Sequence, residues 1–532
     1  MCDLAVLANR IYDWANKAPS RDILTFVDID KNGNFIETKR TYLQLWHNGQ
    51  KLAIALAKKG LKKGDAFALV MANHAEFVDL MVASSILGTI FVPIDPRTKG
   101  DKLRYMLDYA KCKGAIVADY ALENVEQAWK GREDTWLITL SENAKGYPAI
   151  DAMLTDSHDH ISKHIYVQST DPNAPMQMLY TSGTTGDPKA ILSSHAKFAS
   201  GAIIGNVLGL TEEDRPYTGL SLTHANAQIV TLGTIITLGL RGVISLKFTK
   251  SRLWDITRHY GCTWFNLLGG MTTAIFSECP KPNDNDNPVR IILSAGMPKS
   301  IWSDFETRFD VKLCEFYGAA EGGLTFNPSG IGPVGSCGRV APHLEIKIFN
   351  DQDQECLTDE AGEICFRNAD GSSPVVEYFH NTEASINKTR GGWLRMGDIG
   401  HVDKDGWLYF HFRKGGGIRK NGDFVNTDFV AKMLSQHPSI LDVYVYGVTG
   451  DNQAPGEKDV VAAIEVSTDF DAKKITAYFK ENLEANLTPD YLQVVDRIPK
   501  TASEKPQERF LLEDFSVDAK NIINIASEGA ML

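Results

Sequence analysis

Two hydrophobic periods alternate along the first half of the chain. Over residues 42–59 and 75–87 apolar side chains recur every three or four positions and predict helices, whereas short apolar blocks at 66–72 and 90–94 predict strands buried on both faces. Similar blocks return at 115–117, 242–246, 263–267 and 290–293. Helices alternating with buried strands imply an α/β architecture with largely parallel sheets. After Pro342 the texture becomes short strands with turn signals, at 345–349, 362–367, 400–402 and 407–411, and Asp405-Gly406 sits where a hairpin turns. A β-rich subdomain is expected there.

The run Arg413-Lys414-Gly415-Gly416-Gly417 follows, and what lies beyond it has the size and mixed pattern of a separate α+β unit. The expected organisation is therefore a large N-terminal portion over 1–412, made of two parallel α/β subdomains plus the β-rich one, a hinge at 413–417, and a small mobile C-terminal domain over 418–532. A chain of 532 residues, at about 150 residues per domain, agrees with three to four such units. No internal repeat of fixed period is present.

Composition narrows the class. With 43% hydrophobic and 23% charged residues the chain can bury a sizeable core. Its net charge of -12, spread along the sequence, argues against a nucleic-acid or anionic-membrane partner, so an anionic substrate needs a local basic site. The eight cysteines form no CxxC pair and no cluster of zinc spacing, which favours reduced, mostly buried thiols. The longest nearly uncharged stretch, 80–94, falls short of the roughly 20 residues that span a bilayer. The N-terminus lacks the basic start and continuous apolar core of a signal peptide, so no integral membrane segment and a cytoplasmic place are expected.

The sharpest local feature is Tyr180-Thr181-Ser182-Gly183-Thr184-Thr185-Gly186-Asp187-Pro188-Lys189-Ala190, between an apolar stretch and a helical pattern at 194–204. Small residues let backbone wrap a polyphosphate, hydroxyls and amides donate to its oxygens, and a lysine adds charge. The spacing differs from GxxxxGK[ST], because no Ser or Thr follows Lys189. Four hydroxyls, two glycines and Pro-Lys in so short a span leave an ordinary polar loop as a poor alternative.

This segment resembles the phosphate-loop signature of the adenylate-forming superfamily, which includes acyl-CoA synthetases, luciferases and peptide-synthetase adenylation domains. Further stretches support the resemblance in order along the chain: residues 88–117, Ser221-Leu222-Thr223-His224, Tyr317-Gly318-Ala319-Ala320-Glu321-Gly322, residues 393–400 with Met396-Gly397-Asp398, and residues 500–505. The resemblance implies ATP, Mg²⁺ and coenzyme A as cofactors, a small carboxylic acid as the other substrate, and an acyl-adenylate on the way to a thioester. It leaves a homodimer open.

The same resemblance assigns roles residue by residue. Thr181, Ser182, Gly183, Thr184, Thr185, Gly186 and Lys189 would cradle the phosphates, with Thr184 also counted catalytic. Ala295, Gly296, Gly318, Ala319 and Ala320 would border the nucleotide, Tyr317 would stack on adenine, and Glu321 would hold the magnesium, a fit to the preference of Mg²⁺ for a carboxylate with phosphate oxygens. Asp398 and Arg413 would hold the ribose, a carboxylate accepting two hydroxyl protons and a guanidinium offering a fixed fork of donors. His224 would gate the way to the thiol tunnel, Gly422 would leave room for pantetheine, and Lys505 would meet the charge that develops at the α-phosphorus. Arg419 and Lys420 could attract the phosphates of coenzyme A, although a solvated pair is the plainer expectation.

Several positions depart from the superfamily's pattern. Gly415 replaces an acidic or lysine hinge residue, Ala320 replaces a threonine, and Glu504 replaces the glycine before the lysine. The pattern is closest to the fatty acid transport protein and very-long-chain acyl-CoA synthetase branch, with its bacterial carnitine and bile-acid ligase neighbours. For the acid pocket the candidates are His224, Asn226, Gln228, Asn266, Gly269, Met271 and Ala295, a set more polar than a plain alkyl tunnel. Two alternatives stand beside the ligase: an adenylate-forming enzyme with a non-CoA acceptor, and a catalytically weak nucleotide- or acyl-binding homologue.

Overall fold

Strands whose every residue is buried need covering on both faces, and two mostly parallel sheets with helices packed between and around them meet that need. The computed structural model describes residues 3–525 except 143–144, 156–164, 182–187, 415–417, 421–422, 426, 450–457, 484–486 and 502–503. One sheet has six strands in the order Trp136–Thr139, Gly114–Val117, Ala66–Val70, Ile90–Ile94, Pro175–Thr181 and Lys189–Ser194, parallel except for the last, antiparallel pair. The other has nine, in the order Arg339–Val340, Gly322–Asn327, Lys312–Ala319, Ile291–Ala295, Trp264–Leu268, Pro216–Thr218, Gly242–Ser245, Asp22–Ile29 and Phe35–Thr41. Its central strands are parallel and its two edges antiparallel.

The helices Tyr42–Lys58 and Ala75–Leu87 pack into the core that the two sheets share. The first begins on a capping box in which Thr41 Oγ1 accepts from Gln44 N (3.1 Å) and Gln44 Oε1 accepts from Thr41 N (2.8 Å). Ala75–Leu87 is apolar all round and buried along nearly its whole length, as a helix enclosed by other elements must be. It approaches the first helix at Gly49, where an added Cβ would lie 2.5 Å from Val82 Cγ1. The same helix buries Asp79, which the Arg40 guanidinium (2.8 Å) and Asn48 (3.1 Å) satisfy; burial still lifts this carboxyl to about 6.

The β-rich region is an antiparallel sheet of Leu344–Phe349, Gly362–Asn368, Leu394–Val402 and Leu408–Arg413. Its last hairpin turns at residues 403–407 with Gly406 at φ +82°, as the Asp-Gly pair predicts. Beyond it come a two-stranded ribbon, Ile418–Lys420 with Asp423–Val425, and a sheet of Ile440–Val448, Asp459–Val466, Tyr491–Val494 and Ile522–Asn524. The helices Thr427–Leu434 and Ala472–Asn482 share with this sheet a core of their own, built on Val430, Val460, Ile464, Ile475 and Phe479.

Three elements differ from the sequence pattern. The helix expected over 194–204 forms as two short ones, His195–Ala199 and Gly201–Val207, separated at Ser200, and the strand Lys189–Ser194 before them was not anticipated. The Ser194 hydroxyl caps Lys197 N (3.2 Å) and so starts the first of them. The strand expected at 400–402 begins at Leu394 and takes in most of the Trp393 to Gly400 motif. The antiparallel pair Asp22–Ile29 and Phe35–Thr41 was not legible in advance. Among the described residues no helix is long and apolar enough to cross a membrane.

Candidate active site

Parallel strands end with their carboxyl ends on one side, where loops can converge on a ligand, and the candidate residues gather there. Lys312–Ala319 carries Tyr317 near its end; the ring lies 6.3 Å from those of Phe366 and Phe410, and the hydroxyl donates to Asp398 Oδ2 (2.6 Å). Asp398 sits on the neighbouring sheet directly across from Arg413, and the Arg413 Nε lies 3.9 Å from its other oxygen. Burial raises the Asp398 carboxyl, while the Tyr317 hydroxyl and the cations Arg413, Lys388 and Lys505 favour its charged form.

The strand Ile291–Ala295 ends in a turn at Gly296, where φ is +93° and glycine is the residue that fits. Glu315, 3% exposed, accepts from Gly296 N (2.5 Å) and Met297 N (3.0 Å) and so fixes the turn. Burial lifts its carboxyl to about 8 despite those two donors. Gly318 closes against the opposite side of the hairpin, since a Cβ there would lie 2.6 Å from Gly323 O. Ala319, Ala320 and Glu321 are thereby presented at the hairpin tip.

Glu321 Oε1 accepts from the Tyr378 hydroxyl (2.9 Å). Beside it, Lys197 donates from Nζ to the Ala320 carbonyl. Protein crowds the Lys197 ammonium and lowers its pKa, an effect Glu321 opposes. Lys388 Nζ donates to Met396 O (3.2 Å) and is likewise lowered by burial, with Glu321 and Asp398 opposing and Arg413 reinforcing. Lys189 stands 5.5 Å from the centre of the Tyr378 ring.

Lys505 reaches this group from the C-terminal portion. Much of its side chain still meets solvent, yet the cleft walls around its amine lower its pKa, Arg413 adds to the shift, and Glu321 and Asp398 oppose it. It sits on a tight turn in which Thr501 N donates to Lys505 O (2.8 Å) and Lys505 N to Thr501 Oγ1 (3.2 Å). Glu504 has φ +58° there, the left-handed region, which gives a physical reason for the glycine that resembling chains carry at this place. Helix Thr427–Leu434 also faces the site, since Asp428 feels the charge of Asp398.

His224 feels both Asp95 and Lys505, which puts it at the same cleft; burial pushes its imidazole down to about 4, so it is neutral at pH 7. Among the described residues its buried Nε2 has no partner. The π-helix Asn226–Gly233 follows and sets Asn226 and Thr231 against Asn266 of the strand Trp264–Leu268, with Gln228 and Met271 buried nearby in the fold. Gly269 opens the helix Gly269–Phe276.

Tyr317, Glu321, Asp398, Arg413, Lys505 and His224 are thus brought together, along with the turn carrying Ala295 and Gly296. Thr181 is the last residue of its strand, while Ser182, Gly183, Thr184, Thr185, Gly186, Gly415 and Gly422 lie outside the described residues. Lys420 is a correction: it is 9% exposed, donates to Thr488 O (2.8 Å) and pairs with Asp490 (2.9 Å), so it offers no free cation for coenzyme A. Lys197, Lys388, Tyr378 and Glu315 were not anticipated. For Lys197 a signal was available, a cation in the first turn after the phosphate-loop hairpin; the other three carry none.

With this geometry in hand, the family can be given. Residues 11–373 match the family model of AMP-binding enzymes and residues 430–505 that of the AMP-binding enzyme C-terminal domain. The chain belongs to the AMP-binding enzyme family. Among curated proteins it is similar to the medium/long-chain-fatty-acid–CoA ligase FadD17 of Mycobacterium marinum, at 28% identity over 84% of this chain and 86% of that one. It is also similar to the long-chain fatty acid transport protein 2 of Rattus norvegicus, at 26% identity over 96% and 88%. Among solved structures, the anthranilate CoA ligase AuaEII in complex with anthranoyl-AMP has the same fold, with a TM-score of 0.82 at 21% identity, covering 99% of this chain and 98% of the other.

Proposed function

We propose that this protein is an ATP-dependent acid–CoA ligase that works through an acyl-adenylate. The observation that carries this reading is the meeting, in one cleft, of Lys505 from the C-terminal portion with Glu321, Asp398 and Arg413 from the N-terminal portion. The family and the named activities of FadD17 and its like support it.

In the first step a carboxylate oxygen attacks the α-phosphorus of ATP, the bond to the β-phosphate oxygen breaks, and pyrophosphate leaves. Charge grows on the α-phosphoryl oxygens in the transition state, and a positioned ammonium there lowers the barrier. Lys505 takes that role. Lys189, with the hydroxyls and amides between Thr181 and Gly186, holds the departing phosphates. Glu321 suits Mg²⁺, because its Oε2 has no protein partner among the described residues while Tyr378 fixes the other oxygen. When bound, the ion neutralises phosphate charge. Asp398 accepts from the ribose hydroxyls, and Tyr317 lies against the adenine.

In the second step a thiolate attacks the acyl carbonyl, the bond to AMP breaks, and the thioester forms. Lys505 has no task in that step, so the C-terminal portion, residues 418–532, turns about 413–417 to clear the way, with Gly422 and His224 bordering the thiol's approach. Free thiols at every described cysteine fit a reducing, cytoplasmic setting. The test is an acid panel assayed for acid-dependent exchange of labelled pyrophosphate into ATP and for acid-dependent loss of CoA thiol. Exchange without thiol loss would transfer the reading to another acceptor; ATP binding without exchange for any acid would leave a binding homologue.

A further inference from the structure

Buried polar atoms are normally satisfied, so those left over at the mouth of a pocket describe what the pocket is waiting for. Beside the strand that carries Ala295, a chain of mutually hydrogen-bonded side chains ends in an amide with no second partner among the described residues. Thr231 Oγ1 donates to Asn266 Oδ1 (2.8 Å), and Asn266 Nδ2 donates in turn to Asn226 Oδ1. Thr231 is fully buried and Asn266 is 3% exposed, whereas Asn226 is partly open. Turning both amides round reverses every arrow and leaves the same result, a polarised chain that ends on one free amide group of Asn226. The π-helix makes this possible, because its wider turn puts residues five apart, Asn226 and Thr231, on one face toward Asn266.

One further group adds to it. His224 Nε2, at the same cleft, is buried without a partner among the described residues. A buried amide or ring nitrogen left unsatisfied is costly, and replacing such groups by apolar ones of like shape is not. A pocket evolved for a plain hydrocarbon chain has no use for them.

The register gives their depth. Asn266 pairs with Leu293 while Leu268 pairs with Ala295, so Asn266 lies two residues further along the same face of the sheet than Ala295 at the nucleotide end. Two residues of strand are about 7 Å, which an extended chain covers in roughly five to six bonds at the spacing of a polypeptide backbone.

Resting on the ligase reading above, we propose that the acid this enzyme activates carries a hydrogen-bonding substituent, a hydroxyl, oxo or amide group, about five to six bonds from its carboxyl carbon, and that the chain of Asn226, Asn266 and Thr231 selects for it. Sites built to bind such a group reject analogues that lack it far more strongly than apolar pockets tell sizes apart.

The test is a set of matched acids: benzoate against para-hydroxybenzoate, cyclohexanecarboxylate against its para-hydroxy derivative, octanoate against mid-chain hydroxyoctanoates. In wild-type protein the polar member of at least one pair should be favoured in kcat/KM by about a hundredfold. Asn226→Leu should bring that ratio to near one by depressing the polar member. Thr231→Val, which keeps the shape and removes only the head of the chain, should lower the ratio in the same direction, and it decides the matter if Asn226→Leu does not fold. Wild-type preference for the plain member in every pair, or a polar preference unchanged in the variants, overturns the proposal. Calorimetric binding of the same acids to AMP-saturated wild-type protein separates it from the ligase reading: selective binding without turnover sinks the ligase reading alone, and turnover without selectivity sinks this one alone.

Discussion

Lys197→Met removes a cation from beside Glu321 with little change in side-chain volume. Two effects oppose each other in the folded protein. The amine gives up a charge-assisted hydrogen bond to the Ala320 carbonyl, a class of interaction worth roughly 1.5–3 kcal/mol. Against that, crowding already lowers the Lys197 pKa, so the fold is relieved of a desolvated charge when methionine takes its place. Stability should therefore change by less than about 1 kcal/mol, while the hairpin tip that carries Ala320 and Glu321 loses its tether and its neighbouring charge. If the tether's whole worth is realised only when nucleotide is bound, kcat/KM for MgATP falls roughly 10- to 100-fold, at 1.4 kcal/mol per decade. The assay is pyrophosphate exchange against MgATP concentration at saturating acid, with the melting temperature measured on the same sample. Lys197→Arg keeps charge and donors and should recover most of the loss. A Met variant with unaltered kcat/KM, or one whose activity falls only in proportion to its folded fraction, would refute the reasoning.

Other expectations are simpler to state. Lys505→Gln should slow exchange by about a hundred- to a thousandfold, the usual effect of removing one donor from a developing oxyanion, yet leave thioester formation from supplied acyl-adenylate close to normal in a stopped thiol assay. Arg40→Met strands the buried Asp79 and should cost about 3–5 kcal/mol in urea unfolding, with part of the loss recovered at acid pH, because Asp79, already raised to about 6, then becomes neutral. His195 and His224 are both pushed down to about 4 by burial, so their contribution is complete above 6.5 and disappears as pH falls toward 4; the melting temperature should decline over that window and decline less in a His195→Gln variant.

Much of the scaffold was legible because parallel strands announce themselves. Ala66–Val70 and Ile90–Ile94 are buried at every residue, and a continuous apolar block has few other uses. The strand Lys189–Ser194 was missed for the converse reason. Its apolar block is only Ala190 to Leu192, too short to announce a strand beside the phosphate-loop motif. The outer pair Asp22–Ile29 and Phe35–Thr41 ends in an edge strand whose residues 36–39 are exposed, so it lacks the apolar block of a buried strand.

The site divides in the same manner. Tyr317, Glu321, Asp398 and Lys505 lie inside short stretches whose residue types resemble a known pattern, so their convergence could be expected before any fold was seen. Their partners could not. Lys388 closes a short helix and Glu315 is an ordinary alternate residue of a strand, and each acquires meaning only when the fold brings it beside Met396 or beneath Gly296. Local pattern reveals residues that touch a ligand through a shared loop; it is silent on those that act through a single long-range contact.

The charges of the cleft lead to a last prediction. The chain as a whole is acidic, at -12, yet Lys189, Lys197, Lys388, Arg413 and Lys505 surround Glu321 and Asp398. In the absence of a polyanion these cations work against one another, and Arg413 helps to lower the pKa of both Lys388 and Lys505. A bound triphosphate would reverse the sign of that interaction, favour the protonated lysines and draw Lys505 toward the nucleotide. On the mechanism proposed above, departure of pyrophosphate would remove part of that attraction and so favour withdrawal of the C-terminal portion. Binding should therefore be accompanied by proton uptake at pH values below the ordinary 10.5 of a lysine. Calorimetry of MgATP binding in buffers of differing ionisation enthalpy measures that uptake directly; it should shrink in Lys505→Gln, and equal uptake in the two proteins would mean that Lys505 is not held by the nucleotide's charge.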